Sequence, residues 1–315
     1  MSTDMSKVAF LFAGQGAQTV GMGKDIAEAV PTAGNIFAMG ESLRTGITDI
    51  CFGTGSCTDG SLIGQTANTQ PCLFLTDLAI AESLRAAGVT PAVVAGFSLG
   101  EIPAAAFAGV LDAEEAFRFV CLRGEVMAWQ SGKHPGGMAA ALKLPPETVE
   151  TVCADFSEVW PVNYNCPGQV SCAGSAAQMD DFCTAIKAAG GRAVKLPVSG
   201  AFHTPYMAAV EPVLRAALDG ADIHAPTIPL YANLNAEPYP ADRAGITDRL
   251  SRQVCSPVRW EATLRAMWEQ GITTFVEVGA GKTLTGFVGR TLPEARALTV
   301  NDMASFEAVC RELLG

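Results

Sequence analysis

The feature that most constrains the fold is a glycine-flanked serine between an apolar run and a helical pattern. Residues Gly96-Phe97-Ser98-Leu99-Gly100 have the G-x-S-x-G spacing, and the apolar run Ala92–Ala95 precedes them. This pentapeptide forms a sharp strand-to-helix turn that exposes its serine above a sheet. The free N–H groups of the expected helix Glu101–Ala108 would then point toward a developing oxyanion. On spacing alone, an ordinary turn with a solvated serine is the alternative.

Strand and helix patterns alternate along most of the chain, which predicts an α/β fold with a parallel sheet. Strands are expected at Lys7–Ala13, Ile228–Asn233 and Thr274–Val278, and helices at Pro71–Ala87, Asp112–Gln130 and Trp260–Gln270. Residues 131–197 follow the order β-α-β-β-α-β, which is typical of a ferredoxin-like unit. The sequence therefore predicts a core formed by residues 1–130 and 198–315, with residues 131–197 inserted as a small domain.

Composition excludes several classes of function. The net charge of −11 and the lack of a long basic run argue against a nucleic-acid partner. The ten cysteines form no CxxC pair and do not cluster with the three histidines, so no zinc site is expected. No apolar run approaches the ~18 residues of a membrane span. The expected protein is cytoplasmic, with reduced thiols and no metal.

A catalytic serine needs a general base, and the three histidines are the candidates. His134 lies in a predicted loop, and His224 precedes Pro226 at the entry to a strand. His203 follows a predicted strand, at the end of the sheet where α/β proteins build their sites. His203 is therefore the favoured base, with a structural loop histidine as the alternative.

Arg123 is the candidate for binding a carboxylate. It lies among apolar residues in the predicted helix Asp112–Gln130, and a guanidinium binds a carboxylate through two parallel hydrogen bonds. On spacing alone, an intrahelical pair with Glu125 or a solvated arginine is the more ordinary interpretation.

Two glycine-rich segments resemble nucleotide-binding loops but lack a required residue. The segment Gly279-Ala280-Gly281-Lys282-Thr283 has Val276 where a phosphate-binding loop needs its first glycine. The segment Gly14-Gln15-Gly16 is followed by Thr19 where a dinucleotide fingerprint has its third glycine. Neither segment predicts a nucleotide site.

A series of short motifs resembles the malonyl-CoA:acyl carrier protein transacylase family, which includes the acyltransferase domains of fatty acid and polyketide synthases. The motifs are Gly14–Gln18, Asn68–Pro71, Gly96–Glu101, Arg123-Gly124, Asn165–Gln169, Gly200–His203, Gln253 and Glu277–Gly279. They occur in the family's order over residues 7 to 300. This resemblance favours the functional interpretations of the serine, histidine and arginine over the ordinary ones.

For the fold, the resemblance implies an α/β-hydrolase-like core with a ferredoxin-like insert. For the chemistry, it implies a Ser98 nucleophile with His203 as its base, in a dyad that lacks a triad acid. The backbone carbonyl of Gln253 would orient His203 in place of that acid.

The resemblance also implies the substrate contacts. Backbone N–H groups of Gln15 and Leu99 would form the oxyanion hole, Arg123 would hold the malonyl carboxylate, and Asn165 would lie near the cleft between the domains. No metal or bound cofactor is implied, because the CoA thioester and the phosphopantetheine thiol of acyl carrier protein are substrates. A monomer is the family's habit.

The implied reaction is a ping-pong transfer of malonyl from malonyl-CoA to acyl carrier protein through a malonyl-Ser98 ester. Fatty acid synthesis is expected rather than a polyketide line, because no ketosynthase is attached. A serine hydrolase with water as acceptor is one alternative, although it would have no use for a buried arginine. A non-catalytic carrier-binding module is the other, and it would form no acyl-enzyme.

Some positions depart from the family pattern or suggest specificity. Phe97 stands where the family usually has histidine, and Ala280 replaces the proline of a Gly-Pro-Gly turn. Phe202 is expected to narrow the pocket against a methylmalonyl group. The acid-free stretch 182–210 contains Lys187, Arg192 and Lys195, and is expected to face an acidic carrier protein.

Overall fold

The computed structural model describes residues 3–58, 60–198 and 200–315. The strands are β1 (Val8–Phe12), β2 (Val93–Gly96), β3 (Gly136–Leu142), β4 (Val159–Cys166), β5 (Gln169–Ser175), β6 (Arg192–Lys195), β7 (Leu230–Tyr231), β8 (Thr274–Val278) and β9 (Arg296–Val300). The helices are α1 (Lys24–Ala29), α2 (Pro31–Leu43), α3 (Ile47–Phe52), α4 (Thr66–Ala86), α5 (Glu101–Phe107), α6 (Ala113–Lys133), α7 (Pro146–Ala154), α8 (Met179–Ala188), α9 (Glu211–Gly220), α10 (Arg243–Arg252), α11 (Trp260–Glu269), α12 (Thr283–Thr291) and α13 (Met303–Leu314). Among these helices, none combines the length and apolarity that a bilayer crossing requires.

A five-stranded parallel sheet in the order β7-β2-β1-β8-β9 forms the centre of the molecule. Strands β7, β2, β1 and β8 are buried at every position, whereas the edge strand β9 is partly exposed. Burial on both faces explains why β1 is apolar at every position. Phe10 and Phe12 join the cluster beneath α4, α5 and α6, whereas Ala9 and Leu11 join the cluster beneath α11 and α12. The parallel sheet predicted from the alternating pattern is confirmed, and it places the ends of β1 and β2 side by side.

A separate four-stranded antiparallel sheet, in the order β4-β5-β3-β6, contains the strands of residues 131–197. Its elements follow the predicted order β-α-β-β-α-β. Ala139 and Ala141 face α7 and α8, in a cluster with Phe182. The alternate residues Met138 and Ala140 line a cavity on the opposite face. This sheet therefore has one face for its own core and one for a site.

Helix α4 corrects a predicted boundary. The sequence pattern predicted a helix over Pro71–Ala87, but the structure begins it at Thr66 and keeps Pro71 inside. Proline cannot donate to the carbonyl four residues earlier, which usually ends a helix. Here Arg44, the residue that follows α2, donates from Nη1 to the carbonyl oxygen of Ala67 at 2.8 Å. The carbonyl that Pro71 cannot serve therefore has a donor. The helix therefore continues through the proline.

Strand β7 is shorter than the strand predicted over Ile228–Asn233 and contains Leu230–Tyr231 alone. Pro229 has no N–H to extend the ladder, although its carbonyl accepts from Val94 at 2.9 Å. After β7 the chain turns, and Asn233 contacts β2 through its side chain instead of the ladder.

Candidate active site

The serine turn is built by glycines at points of close backbone approach. A Cβ on Gly96 would lie 1.9 Å from the carbonyl carbon of Gly100, and a Cβ on Gly100 would lie 2.2 Å from the carbonyl oxygen of Phe12. Ser98 itself has a positive φ of 52°, a strained conformation for a residue with a side chain. The turn thus holds Ser98 at the end of β2, in the wall of the cavity.

Ser98 and His203 form a hydrogen-bonded pair. Ser98 Oγ lies 2.6 Å from His203 Nε2. His203 Nδ1 lies 2.9 Å from the Gln253 carbonyl oxygen and 3.1 Å from that of Ser256. Because carbonyls only accept, Nδ1 must carry the proton, and Nε2 is left to accept the proton of the serine hydroxyl. Carbonyl oxygens thus occupy the place that a carboxylate takes in a triad.

Burial keeps the His203 imidazole neutral. The side chain is buried, and desolvation together with the positive charge of Arg123 lowers the pKa of His203 to about 4. At neutral pH the ring is therefore unprotonated and available as a base.

We expect Ser98 to keep its reactivity far into the acid range. A lowered His203 pKa means that the neutral base is present at neutral pH and is lost only as the pH falls through about 4. The rate of Ser98 modification by phenylmethanesulfonyl fluoride, measured against pH, reports this base without involving a malonyl group. Circular dichroism at each pH separates loss of the base from acid unfolding. An acid limb at about 6.5, where free imidazole titrates, would contradict the assignment.

Arg123 lies in the same cavity with part of its guanidinium unused. Nη1 donates to Gln70 Oε1 at 2.7 Å and Nη2 donates to Gln253 Oε1 at 2.8 Å. Nε has no hydrogen-bond partner among the described residues. Burial lowers the pKa of Arg123 to about 10, so the group remains charged at neutral pH. Its hydrogen-bond partners are two neutral glutamines, and not Glu125, so donors remain for an anionic ligand.

The cavity has a volume of about 580 Å³ and is lined by both the parallel-sheet core and the antiparallel sheet. On the antiparallel sheet, Asn165 Nδ2 donates to Ser171 Oγ at 3.1 Å. The Oδ1 atoms of Asn163 and Asn165 are buried without a hydrogen-bond partner among the described residues. Asn165 therefore lies in the cavity wall together with Asn163 and Ser171.

Gln15 and Leu99 are the predicted oxyanion donors, and their side chains differ in their surroundings. Gln15 follows β1 and lines the cavity, with its side chain donating to Thr66 Oγ1 at 3.1 Å. Leu99 follows the serine directly, and its side chain is fully buried in the core. The oxyanion role of their backbone N–H groups stays a prediction.

The apolar part of the wall contains the two phenylalanines that the sequence singled out. Phe97 lines the cavity and packs edge-on against Trp260, with ring centroids 5.4 Å apart. Phe202 lines it beside His203 and is buried. Phe97, which stands where the family usually has histidine, is thus part of an aromatic cluster.

The other two histidines lie away from the cavity. His134 packs on the ring of Tyr206, with ring centroids 5.2 Å apart. His224 is exposed, and its Nε2 lies 3.3 Å from Asp222 Oδ2. Within the described part of the chain, no group of three or more His, Cys, Asp or Glu could hold a metal ion.

The turn 279–283, which resembles a phosphate-binding loop, lies beside backbone N–H groups that already bind the carboxylate of Glu277. Glu277 accepts from the backbone N–H of Leu284 at 3.0 Å and of Thr285 at 2.6 Å. These are the amides at the start of α12 that would otherwise bind a phosphate. The turn therefore holds its own carboxylate.

The sequence did not predict that the buried side chain of Asn233 makes two hydrogen bonds to the serine turn. Asn233 Nδ2 donates to the Gly96 carbonyl at 2.6 Å, and its Oδ1 accepts from the Ser98 backbone N–H at 2.7 Å. The signal available in the sequence was a polar residue following the strand β7, which neighbours β2 in the parallel sheet.

A second missed residue, Glu101, is a fully buried carboxylate. It accepts from Tyr239, from Gln253 Nε2 and from the Asn233 backbone, and desolvation raises the pKa of Glu101 to about 7. Gln253 thus contacts Ser98, Glu101, His203 and Arg123, whereas the sequence predicted only its contact with the histidine.

The parallel sheet, the strained serine turn and the serine–imidazole pair define the class of enzymes that carry an acyl group on serine. The family model for the acyl transferase domain matches residues 9–311, and the chain belongs to this family.

Named relatives cover almost the whole chain. It is 36% identical over 315 residues to the malonyl CoA-acyl carrier protein transacylase of Bacillus subtilis (strain 168), with 98% of each chain covered. A solved malonyl-CoA:acyl carrier protein transacylase from Xanthomonas oryzae pv. oryzae superimposes with a TM-score of 0.93 at 33% identity, covering 99% of this chain and 100% of that one. A solved complex of a type II PKS acyl-carrier protein with its malonyl-transacylase gives a TM-score of 0.91 at 32% identity, covering 97% of this chain and 99% of that one.

Proposed function

We propose that the protein transfers a malonyl group from malonyl-CoA to the phosphopantetheine thiol of an acyl carrier protein, through a malonyl ester on Ser98. The observation that carries the proposal is the charged Arg123, which lines the same cavity as the Ser98–His203 pair and whose Nε has no hydrogen-bond partner among the described residues. The relatives named malonyl CoA-acyl carrier protein transacylase support the same donor and acceptor.

In the first half-reaction, the malonyl carboxylate binds Arg123 and the thioester carbonyl lies over Ser98. His203 Nε2 takes the hydroxyl proton as Ser98 Oγ attacks the carbonyl carbon. Backbone N–H groups of Gln15 and Leu99 stabilise the oxyanion. The tetrahedral intermediate collapses, the carbon–sulfur bond breaks, and CoA leaves with the proton from His203.

In the second half-reaction, the phosphopantetheine thiol of the carrier takes the place of CoA. His203 removes the thiol proton, and the sulfur attacks the malonyl-Ser98 ester. The carbon–oxygen bond to Ser98 breaks, and His203 returns the proton to Ser98 Oγ. The two thiols use one site in turn, so the kinetics are ping-pong, and no metal or bound cofactor is required.

We propose the finer assignment of the fold on the same basis. The parallel sheet and its helices form an α/β-hydrolase-like core of residues 1–130 and 198–315. Residues 131–197 form a ferredoxin-like insert, supported by the sheet order β4-β5-β3-β6 and by a hydrophobic cluster of its own. A monomer is proposed on the resemblance to the family alone. Fatty acid synthesis is the proposed pathway and the cytoplasm the proposed compartment, where ten free cysteines would stay reduced.

The experiment that tests the function mixes the protein with malonyl-CoA and holo carrier protein, and measures two products. Malonyl-carrier should form in excess over free malonate, because a carrier thiol is the intended acceptor. Predominant free malonate would indicate the hydrolase instead. Absence of any acyl-enzyme or product would favour the non-catalytic carrier-binding module.

The carrier-docking surface is proposed at β6 and the end of α8. Lys187 and Arg192 are exposed there, and the residues that follow β6 line the cavity. Lys195 is paired with Asp180 at 2.5 Å, so it contributes less free charge than the sequence suggested. The local charge opposes the repulsion between an acidic carrier and a protein of net charge −11.

We expect Lys187→Glu/Arg192→Glu to raise KM for carrier protein about tenfold at low salt, and less at high salt, because exposed charges are screened. The rate of self-acylation by malonyl-CoA should not change, since that step does not involve the carrier. Lys24→Glu/Arg311→Glu is the matched control, because it makes the same charge change on α1 and α13, which do not line the cavity. An equal effect of both double variants would place docking elsewhere.

A further inference from the structure

We infer that buried Glu101 selects the acyl group from a distance: it fixes the orientation of the Gln253 side-chain amide, which in turn holds Arg123 for a carboxylate. Glu101 is a positioning residue in this inference and touches no substrate. The inference rests on the proposed function, since it assumes that Arg123 binds the malonyl carboxylate.

The Glu101 carboxylate is surrounded by hydrogen-bond donors. Oε1 accepts from the Tyr239 hydroxyl at 2.5 Å and from the Asn233 backbone N–H at 3.3 Å. Oε2 accepts from Gln253 Nε2 at 2.7 Å. Both oxygens therefore face donors, and a backbone N–H cannot reverse its role. An ionised carboxylate satisfies every one of these contacts.

The contacts of Gln253 fix the orientation of its side-chain amide. Its nitrogen donates both to Glu101 Oε2 and to the Ser98 carbonyl at 2.5 Å. Two acceptors on one side require the nitrogen there and direct Oε1 to the other side. On that other side, Oε1 accepts from Arg123 Nη2 at 2.8 Å. The carboxylate thus determines which Gln253 atom meets the guanidinium.

Glu101 and Arg123 carry opposite charges when both are ionised. In its ionised form Glu101 supplies a buried negative charge near Arg123, yet no direct ion pair joins the two described side chains, and Gln253 hydrogen-bonds to both. A direct bidentate pair would occupy the N–H donors that a substrate carboxylate needs. With Gln253 between them, the charges compensate each other while Arg123 Nε stays without a hydrogen-bond partner among the described residues.

The consequence is a specific disruption by Glu101→Gln. The donors from Tyr239 and Asn233 would keep the new amide oxygen at the Oε1 position, which places its NH₂ group against Gln253 Nε2. Two donors would then face each other, and rotation of the Gln253 amide would turn its nitrogen toward Arg123. Arg123 would lose its acceptor, and carboxylated acyl groups would lose their aligned partner.

The experiment compares self-acylation of Ser98 by malonyl-CoA and by acetyl-CoA, followed by intact mass. For Glu101→Gln we expect the malonyl-to-acetyl rate ratio to fall about 10- to 100-fold, the cost of a lost hydrogen bond to a charged group. Acetyl carries no carboxylate and does not use Arg123. A merely structural role would lower both rates together and leave the ratio unchanged, which would overturn the inference.

Gln253→Leu tests the same connection without altering Glu101, because the backbone carbonyl that contacts His203 is retained. We expect the same fall in the ratio, and no further fall in the double variant, since Glu101 acts only through Gln253. An unchanged ratio in Gln253→Leu, or additive losses in the double variant, would overturn the inference. Gln253→Leu also serves if Glu101→Gln fails to fold.

Tyr239→Phe is the matched control. It removes another contact to the same carboxylate but leaves Glu101 an acceptor for Gln253, so the ratio should be retained; its loss would overturn the inference. Arg123→Ala distinguishes a failure of the proposed function from a failure of the role of Glu101. If Arg123→Ala leaves the ratio unchanged, the proposed function fails; if it lowers the ratio while Glu101→Gln and Gln253→Leu do not, only the role of Glu101 fails.

Discussion

Ser98→Ala should form no acyl-enzyme with malonyl-CoA and should transfer no malonyl group to carrier protein. The hydroxyl is the group 2.6 Å from His203 Nε2, and the substitution removes the atom that would carry the acyl group. Loss of the nucleophile in a comparable serine–histidine site lowers kcat by about 10⁶-fold. Intact mass after incubation with malonyl-CoA measures the covalent step directly.

The variant should fold, because the contacts that hold the turn use the Ser98 backbone. Its N–H donates to Asn233 and its carbonyl accepts from Gln253, and neither bond involves the hydroxyl. Circular dichroism and thermal unfolding check this. Ser171→Ala is the matched control, since it removes another hydroxyl from the cavity wall and should still take up the malonyl mass. A malonyl adduct on Ser98→Ala would show that another residue is the nucleophile.

Arg123→Ala should abolish the preference for malonyl over acetyl. Leaving a buried carboxylate without its charged partner costs about 2–5 kcal/mol, which would fall on malonyl-CoA alone. Acetyl-CoA has no carboxylate, so its acylation rate should change little or rise. The measurement is the rate of Ser98 acylation with each thioester at matched concentrations.

Stability needs a separate control in this variant. The substitution leaves Gln70 Oε1 and Gln253 Oε1 without their donor, so some loss of thermal stability is expected. Taking the malonyl-to-acetyl ratio cancels a general loss of folded protein. Arg123→Lys, which keeps the charge but not the planar fork, should fall between wild type and Arg123→Ala. Equal losses for both thioesters would leave Arg123 with a structural role only.

Local chemistry made the centre of the site predictable from the sequence. The glycines flanking Ser98 are demanded by backbone contacts of 1.9 and 2.2 Å, and such contacts leave a recognisable spacing. His203 is preferred over the other histidines because it follows a predicted strand, but that strand, β6, lies in the antiparallel sheet, so the rule about the ends of parallel strands does not explain its position. The cavity wall could also have been predicted more fully, since Asn163 and Asn165 are alternate residues of one strand and share a face.

Contacts between distant segments were not predictable in the same way. Pro71 lies inside α4, where the carbonyl of Ala67 that it cannot serve accepts from Arg44 instead. Glu101 is oriented by residues more than 130 positions away, and a single sequence does not reveal which polar side chains will meet in the core. The role of Glu101 therefore emerges from the tertiary structure, whereas for Asn233 the sequence offered only the signal of a polar residue after a strand.

Intact-mass analysis of one chase experiment tests the central claim most directly. The protein is incubated with malonyl-CoA, freed of excess thioester, and then mixed with holo carrier protein. We expect the protein first to gain one malonyl group on Ser98, and this group then to move to the carrier while the protein returns to its original mass. A protein that transfers malonyl without ever carrying it, or that releases it as free malonate in the presence of carrier, would contradict the account.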